Sequence, residues 1–202
     1  ISKTYNRTYD EKTGLWKHAW DETNSMFWAD KQTGLSRHTW ARAQGWFAMA
    51  ILEVLDAVPQ DYEHRAELID MLNNVMKATV KKQDKQTGVW RDVLDVDDPR
   101  NYLEATASSM FTYVLLKGSR LGYFADSMKK AGIKGYMGIL KEFVKVNPDK
   151  TISLTRCCEV SGLGPDNPKS RRRDGSFEYY ISEPIRDNDG KGIAPFIWAS
   201  LE

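Results

Sequence analysis

The sequence has almost no cysteine. Its only two thiols, Cys157 and Cys158, are adjacent, and a bridge between neighbours is strained, so a disulfide scaffold is excluded. Three scattered histidines, His18, His38 and His64, do not make a Cys/His metal site either. Charge of one sign is also missing. The formal net charge is +1, which provides no whole-protein field for nucleic acid or an anionic membrane. No apolar run approaches the length of a membrane helix, and no signal peptide precedes the first motif. There is no glycine-rich phosphate loop, and Asp187-Asn188-Asp189-Gly190-Lys191 lacks the spacing of a calcium loop.

What is present is an ordinary soluble composition, 41% hydrophobic and 28% charged over 202 residues, with seven Trp and nine Tyr. Aromatic planes suit the apolar faces of sugar rings, and equally the interior of a core. Four stretches carry helical periodicity. The first, residues 40–58, places Trp46, Phe47, Met49, Ala50, Ile51, Val54, Leu55 and Val58 on one wide stripe, and Pro59 ends it. The second, about 61–83, turns Leu68, Ile69, Leu72, Val75, Met76 and Val80 inward. The very short loop between them predicts an antiparallel hairpin. The third, about 103–121, buries Met110, Phe111, Val114 and Leu115. The fourth, about 126–146, is expected to bury Ile133, Met137, Leu140 and Val144, with Pro148 closing it.

A phrase recurs between these segments. Asp10-Glu11-Lys12-Thr13-Gly14-Leu15-Trp16 returns as Asp30-Lys31-Gln32-Thr33-Gly34-Leu35 and as Asp84-Lys85-Gln86-Thr87-Gly88-Val89-Trp90. An Asp that opens a turn and a Gly at its positive-φ position account for the pattern. Helical hairpins that each carry such a loop fit an open solenoid or a closed ring. A ring of six hairpins needs about 350 residues at ordinary helix and loop lengths, so this chain supplies about three.

Two constellations could carry chemistry. Trp16, His18 and Trp20 alternate, so an extended segment would put them on one face, beside Asp21 and Glu22. The bland alternative is a rim segment with a structural His. Trp40-Ala41-Arg42-Ala43-Gln44-Gly45-Trp46 opens the first long helix. An Arg in a first helical turn is disfavoured by the dipole; between two indoles it suits a planar anion such as a uronate carboxylate. Its alternative is pairing with a neighbouring acid while the Trp residues pack. The small residues after Glu104 are explained by close packing, and Glu104 itself could line a pocket or support a donor. The basic run at 169–173 reads as a solvated loop, with an entry patch for acidic oligosaccharides as the minority reading.

The phrases "GLWKHAWDE", "SRHTWARAQGW", "YLEATASSM", "SLTRCCEVSGLG" and "RDGSFEYYISEPIRDNDGKGIAPFIWASLE" together resemble the unsaturated rhamnogalacturonyl hydrolases, glycoside hydrolase family 105. The resemblance covers essentially the whole chain as a single domain, residues 1–202. It implies an all-α fold, an (α/α)6 barrel of which this chain is about the C-terminal half. It implies removal of a terminal Δ4,5-unsaturated uronic acid from pectin-derived oligosaccharides, by hydration of the double bond rather than by the usual two-carboxylate scheme. No metal or organic cofactor is implied.

By the same resemblance His18 stands beside the reacting water in a supporting role. Arg42 holds the uronate, Trp40 and Trp46 wall the sugar, and Gln44 lies within the substrate-binding motif. The family's general acid/base Asp lies upstream of the segment matching His18, and nothing promotes Asp21 or Glu22 to that role. The expected partners are an unsaturated uronyl oligosaccharide and a missing N-terminal half or another chain, without which the hairpins would be unstable. A non-catalytic sugar-binding barrel and a helical-repeat scaffold with Trp in the core are the alternatives.

Overall fold

The computed structural model describes residues 1–166 and 172–202. It is mostly helical. In chain order the elements are α1 (Ser2–Thr8), β1 (Tyr9–Asp10), β2 (Leu15–Trp16), α2 (Ala41–Ala57), α3 (Arg65–Val80), α4 (Ala105–Arg120), α5 (Asp126–Glu142), β3 (Val144–Val146), β4 (Ile152–Leu154), β5 (Cys157–Cys158), α6 (Phe177–Ile181), β6 (Ile185–Arg186) and α7 (Gly190–Ser200). The strands form three two-stranded antiparallel pairs, β1 with β2, β3 with β4 and β5 with β6.

α4 is the hub. It packs against α2 on one side and α7 on the other, with α5 behind it and α3 behind α2. Two expected hairpins, α2–α3 and α4–α5, therefore form, and α7 extends the α2–α4 row without a long helix of its own behind it. The main core fills the space between the layers with Ile51, Leu52, Leu72, Val75, Met76, Phe111 and Val114, all out of contact with water. No helix of the described residues is long and apolar enough to cross a membrane.

The recurring phrase folds the same way three times. Gly14, Gly34 and Gly88 have φ of 67°, 73° and 81°. Their amides donate to the carbonyls of Asp10, Asp30 and Asp84 at 2.8, 2.9 and 2.9 Å. The hydroxyls of Thr13, Thr33 and Thr87 donate to the same three Asp side chains. The turn aims the next apolar pair inward. Trp16 donates its indole N–H to the Tyr5 carbonyl, and Trp90, fully buried, donates to the Thr79 carbonyl. These two indoles are core plugs and not sugar platforms.

The fourth periodic stretch departs from expectation. α5 ends at Glu142, and β3 takes over before Pro148. Ile133, Met137 and Leu140 face outward, with Met137 60% exposed. The buried face is instead lined by glycines. A Cβ on Gly132 would meet Leu115 and Leu116 at 3.0 Å, and one on Gly138 would meet the Thr87 carbonyl at 2.2 Å. Close helix approach through small residues outweighed side-chain hydrophobicity in choosing the inward face.

Candidate functional site

The segment 90–95 organises the entry to α2. The Ala41 amide donates to the Asp92 carbonyl at 2.8 Å, and the Leu94 amide to the Thr39 carbonyl at 3.0 Å. Trp40 and Val93 pair as an isolated antiparallel bridge. Asp95 fixes the far side: it accepts from Lys17 at 2.6 Å and from the Thr39 amide at 3.1 Å, and its other contact is His38 at 3.3 Å. Burial works against the Asp95 charge, but the His38 hydrogen bond and the Lys17 charge prevail and hold its pKa down at about 2. This lattice brings residue 18 over residue 40.

The result is an aromatic wall. The His18 and Trp40 rings lie 5.0 Å apart, and Tyr180 stacks on Trp40 at 6.4 Å with planes 20° apart. The Tyr180 hydroxyl and His18 Nδ1 share a hydrogen bond of 2.8 Å across 162 residues of sequence. Burial, reinforced by the Arg42 charge, depresses His18 to about 4. At neutral pH this imidazole is uncharged, able to accept a proton on one nitrogen and donate from the other. Tyr180 is pushed up by burial, so it stays a hydroxyl.

The structure places the five predicted residues in three different environments. His18 and Trp40 come together. Arg42 joins them from behind. Its guanidinium is 1% exposed, sits 4.5 Å over the Trp40 ring, and donates to the carbonyls of Cys158 at 2.6 Å and Glu159 at 3.2 Å. As placed, it ties the 157–159 segment to the wall and is not open to a ligand carboxylate.

Gln44 points elsewhere. It accepts from the Trp16 amide at 3.2 Å and donates to the Thr79 hydroxyl at 2.6 Å, on the core side of α2. Trp46 stands apart from the wall. It is 46% exposed and lines a separate groove of about 470 Å³ with Met49, Ala50, Glu53, Tyr113 and Trp198. Trp16 and Trp20 do not share a face with His18 either. Trp16 is packed between Tyr5 and Tyr9, and Trp20 lies under Arg7. Of the basic run, residues 169–171 lie outside the described residues, and Arg172 sits over the Phe27 ring at 4.4 Å.

Sequence reasoning missed Tyr180 and Asp92, and it left Glu104 half-assigned. Asp92 is fully buried and accepts from the Trp40 indole N–H at 2.9 Å. Burial, with the Glu104 charge added, raises it to about 8. Glu104 caps α4 by accepting from the Ala107 amide at 2.6 Å, and its other oxygen accepts from the Cys158 amide at 2.9 Å. The available signal was the position of Asp92 between Arg91 and Val93 in a stretch otherwise destined for the core. Tyr180 had no local signal, because its partner is set by tertiary structure alone.

The chain belongs to glycosyl hydrolase family 88, whose sequence profile it matches over residues 1–202. It is 34% identical over 194 residues to the 24.9 kDa protein in the picA locus of Rhizobium radiobacter, covering 94% of this chain and 82% of that protein. It is 31% identical over 117 residues to the unsaturated rhamnogalacturonyl hydrolase YesR of Bacillus subtilis, covering 55% of this chain and 30% of that one. Among solved structures, a family 105 glycoside hydrolase from C. acetobutylicum ATCC 824 superposes with a TM-score of 0.93 at 44% identity. That match covers 98% of this chain and 54% of the other, so the chain spans about half the length of that solved relative.

Proposed function

We propose that this chain forms, as one domain over residues 1–202, the C-terminal portion of an (α/α)6 barrel that removes a terminal Δ4,5-unsaturated uronic acid from pectin-derived, rhamnogalacturonan-type oligosaccharides. The observation that carries the proposal is the 44% identity to the family 105 structure along nearly the whole chain; the neutral His18 against Trp40 supports it.

In this reading the sugar ring lies against the His18–Trp40 wall, in which His18 is half-buried and Trp40 is 6% exposed. The Tyr180 hydroxyl fixes the His18 ring, which leaves Nε2 to hold the water that adds across the double bond. Arg42 contributes its positive charge behind the wall and the rigidity of Trp40, in place of a direct clamp. The exposed Trp46 indole offers a second stacking face. Asp92 stands behind Trp40 and cannot reach a sugar, so it is not the acid that protonates the double bond.

The test is optical. The protein is mixed with unsaturated uronyl-rhamnose disaccharide, and the ultraviolet absorbance of the C4–C5 double bond is followed. Loss of absorbance in the wild type, slowed at least about a hundredfold in His18→Ala, supports the proposal. Persistent absorbance in the whole protein at every pH contradicts it.

A further inference from the structure

The Trp40 ring could be turned by rotation about its two side-chain bonds, and something must hold it at the angle His18 requires. Packing alone does not choose between the two faces of an indole, but a hydrogen bond to its N–H does, because the ring has only one donor. That donor points into the core and ends on Asp92 Oδ1 at 2.9 Å. We propose that Asp92 is the positioning residue of the wall: it accepts the Trp40 indole N–H from behind and thereby sets where the Trp40 and His18 rings stand. The proposal rests on the reading of that wall as the substrate surface.

The backbone of residue 92 is held as firmly as its side chain. Its carbonyl accepts from the Ala41 amide at 2.8 Å, and its own amide donates to the Tyr102 carbonyl at 3.0 Å. One residue thus grips the first turn of α2 and the side chain of its cap residue together. A carboxyl is a costly choice for a fully buried position, since an apolar side chain would pack there without a desolvation penalty. An acceptor for the indole gives a reason for it. The second oxygen is telling. Asp92 Oδ2 and the Tyr102 hydroxyl are both buried and complete no hydrogen bond among the described residues, although the hydroxyl is near enough to act on the Asp92 charge. The charged and titratable groups around Asp92 are Glu104, Arg42 and Tyr102, with Cys158 and Tyr180 within electrostatic reach. Nothing in this arrangement needs a charge at residue 92. It needs an acceptor at Oδ1 and, at Oδ2, a group that the Tyr102 hydroxyl can meet.

Asparagine meets both needs and leucine meets neither. The full chain is prepared as wild type, Asp92→Asn and Asp92→Leu, with indole nitrogens labelled and the Trp40 N–H resonance assigned through Trp40→Phe. In Asp92→Asn the Trp40 resonance stays slow to exchange with solvent, and KM for the unsaturated disaccharide stays within about threefold of wild type. In Asp92→Leu the resonance moves and exchanges, and KM rises at least about tenfold, more than kcat falls, as expected for a misplaced binding surface. Where Asp92→Leu fails to fold, the wild type and Asp92→Asn carry the test, since both must show a Trp40 N–H that is slow to exchange. An unmoved, protected Trp40 resonance in Asp92→Leu, or a Trp40 resonance in fast exchange with solvent in the wild type, overturns the proposal. If the wild type neither binds nor turns over the disaccharide, the functional reading fails while the resonances still test the positioning.

Discussion

Arg42 and Trp46 are one helical turn apart on α2, yet they inhabit opposite worlds. Arg42 is buried, donates to two backbone carbonyls and lies with its guanidinium over Trp40. Trp46 is nearly half exposed beside Trp198 and Tyr113 in an open groove. The wall at the start of the helix is buried and tied by hydrogen bonds, and the groove below it is an open surface lined by Trp46, Tyr113 and Trp198. The comparison shows why an i, i+4 relation proves little about shared function. A long side chain such as Arg reaches back to where carbonyls need donors, and an indole stays where its own Cβ puts it.

The largest expected effect lies in the wall. Arg42→Leu leaves the Cys158 and Glu159 carbonyls without their charged donor and removes the plane behind Trp40. It should cost about 3 kcal/mol or more in urea unfolding. Arg42→Lys should recover little of this, because an ammonium cannot serve two carbonyls and stack at once. A loss comparable to that of a surface substitution would show that the wall is not held from this side.

The next effect is a pH dependence with two opposing parts. His18 is depressed from 6.5 to about 4 when folded. The stability it contributes is complete above pH 6.5 and is lost as pH falls through 4. Asp92 is raised from 3.8 to about 8. It is protonated when folded and ionised when unfolded, so stability falls as pH climbs from about 4 to 8. Between pH 4 and 6.5 the two slopes cancel; between 6.5 and 8 only the Asp92 slope remains. Asp92→Asn should therefore gain on the wild type by up to about 1.4 kcal/mol per pH unit over that upper window, measured as unfolding midpoints across pH. His18→Gln should show a falling stability already from pH 4. Parallel curves for all three proteins would break the account.

The smallest effect lies in the groove. Trp46→Ala should change stability by no more than about 2 kcal/mol, because nearly half of its surface stays in water on either side of the transition. A larger loss would mean that the groove, too, is a packed element.

Much of the fold was legible because it is written in local chemistry. The three Asp-x-x-Thr-Gly turns, the extents of α2 and α4 to within a few residues, and the α2–α3 hairpin follow from spacing and turn residues alone. α5 was oriented wrongly, because its glycines buy close approach to α4 and leave Ile133 and Met137 outside; periodicity scores hydrophobic side chains and is blind to that gain. For the site, His18 and Trp40 were visible as a motif. The fate of Arg42 was not, since its acceptors are carbonyls more than a hundred residues away. Tyr180 was not visible either, since a hydroxyl 162 residues from His18 leaves no trace in local sequence.

The most direct test is a crystal structure of the protein with an unsaturated uronyl-rhamnose disaccharide bound. The account predicts the unsaturated ring against Trp40, with its double bond facing His18 Nε2 and Arg42 still on the Cys158 and Glu159 carbonyls. A sugar bound elsewhere, with the His18–Trp40 wall empty, would contradict it.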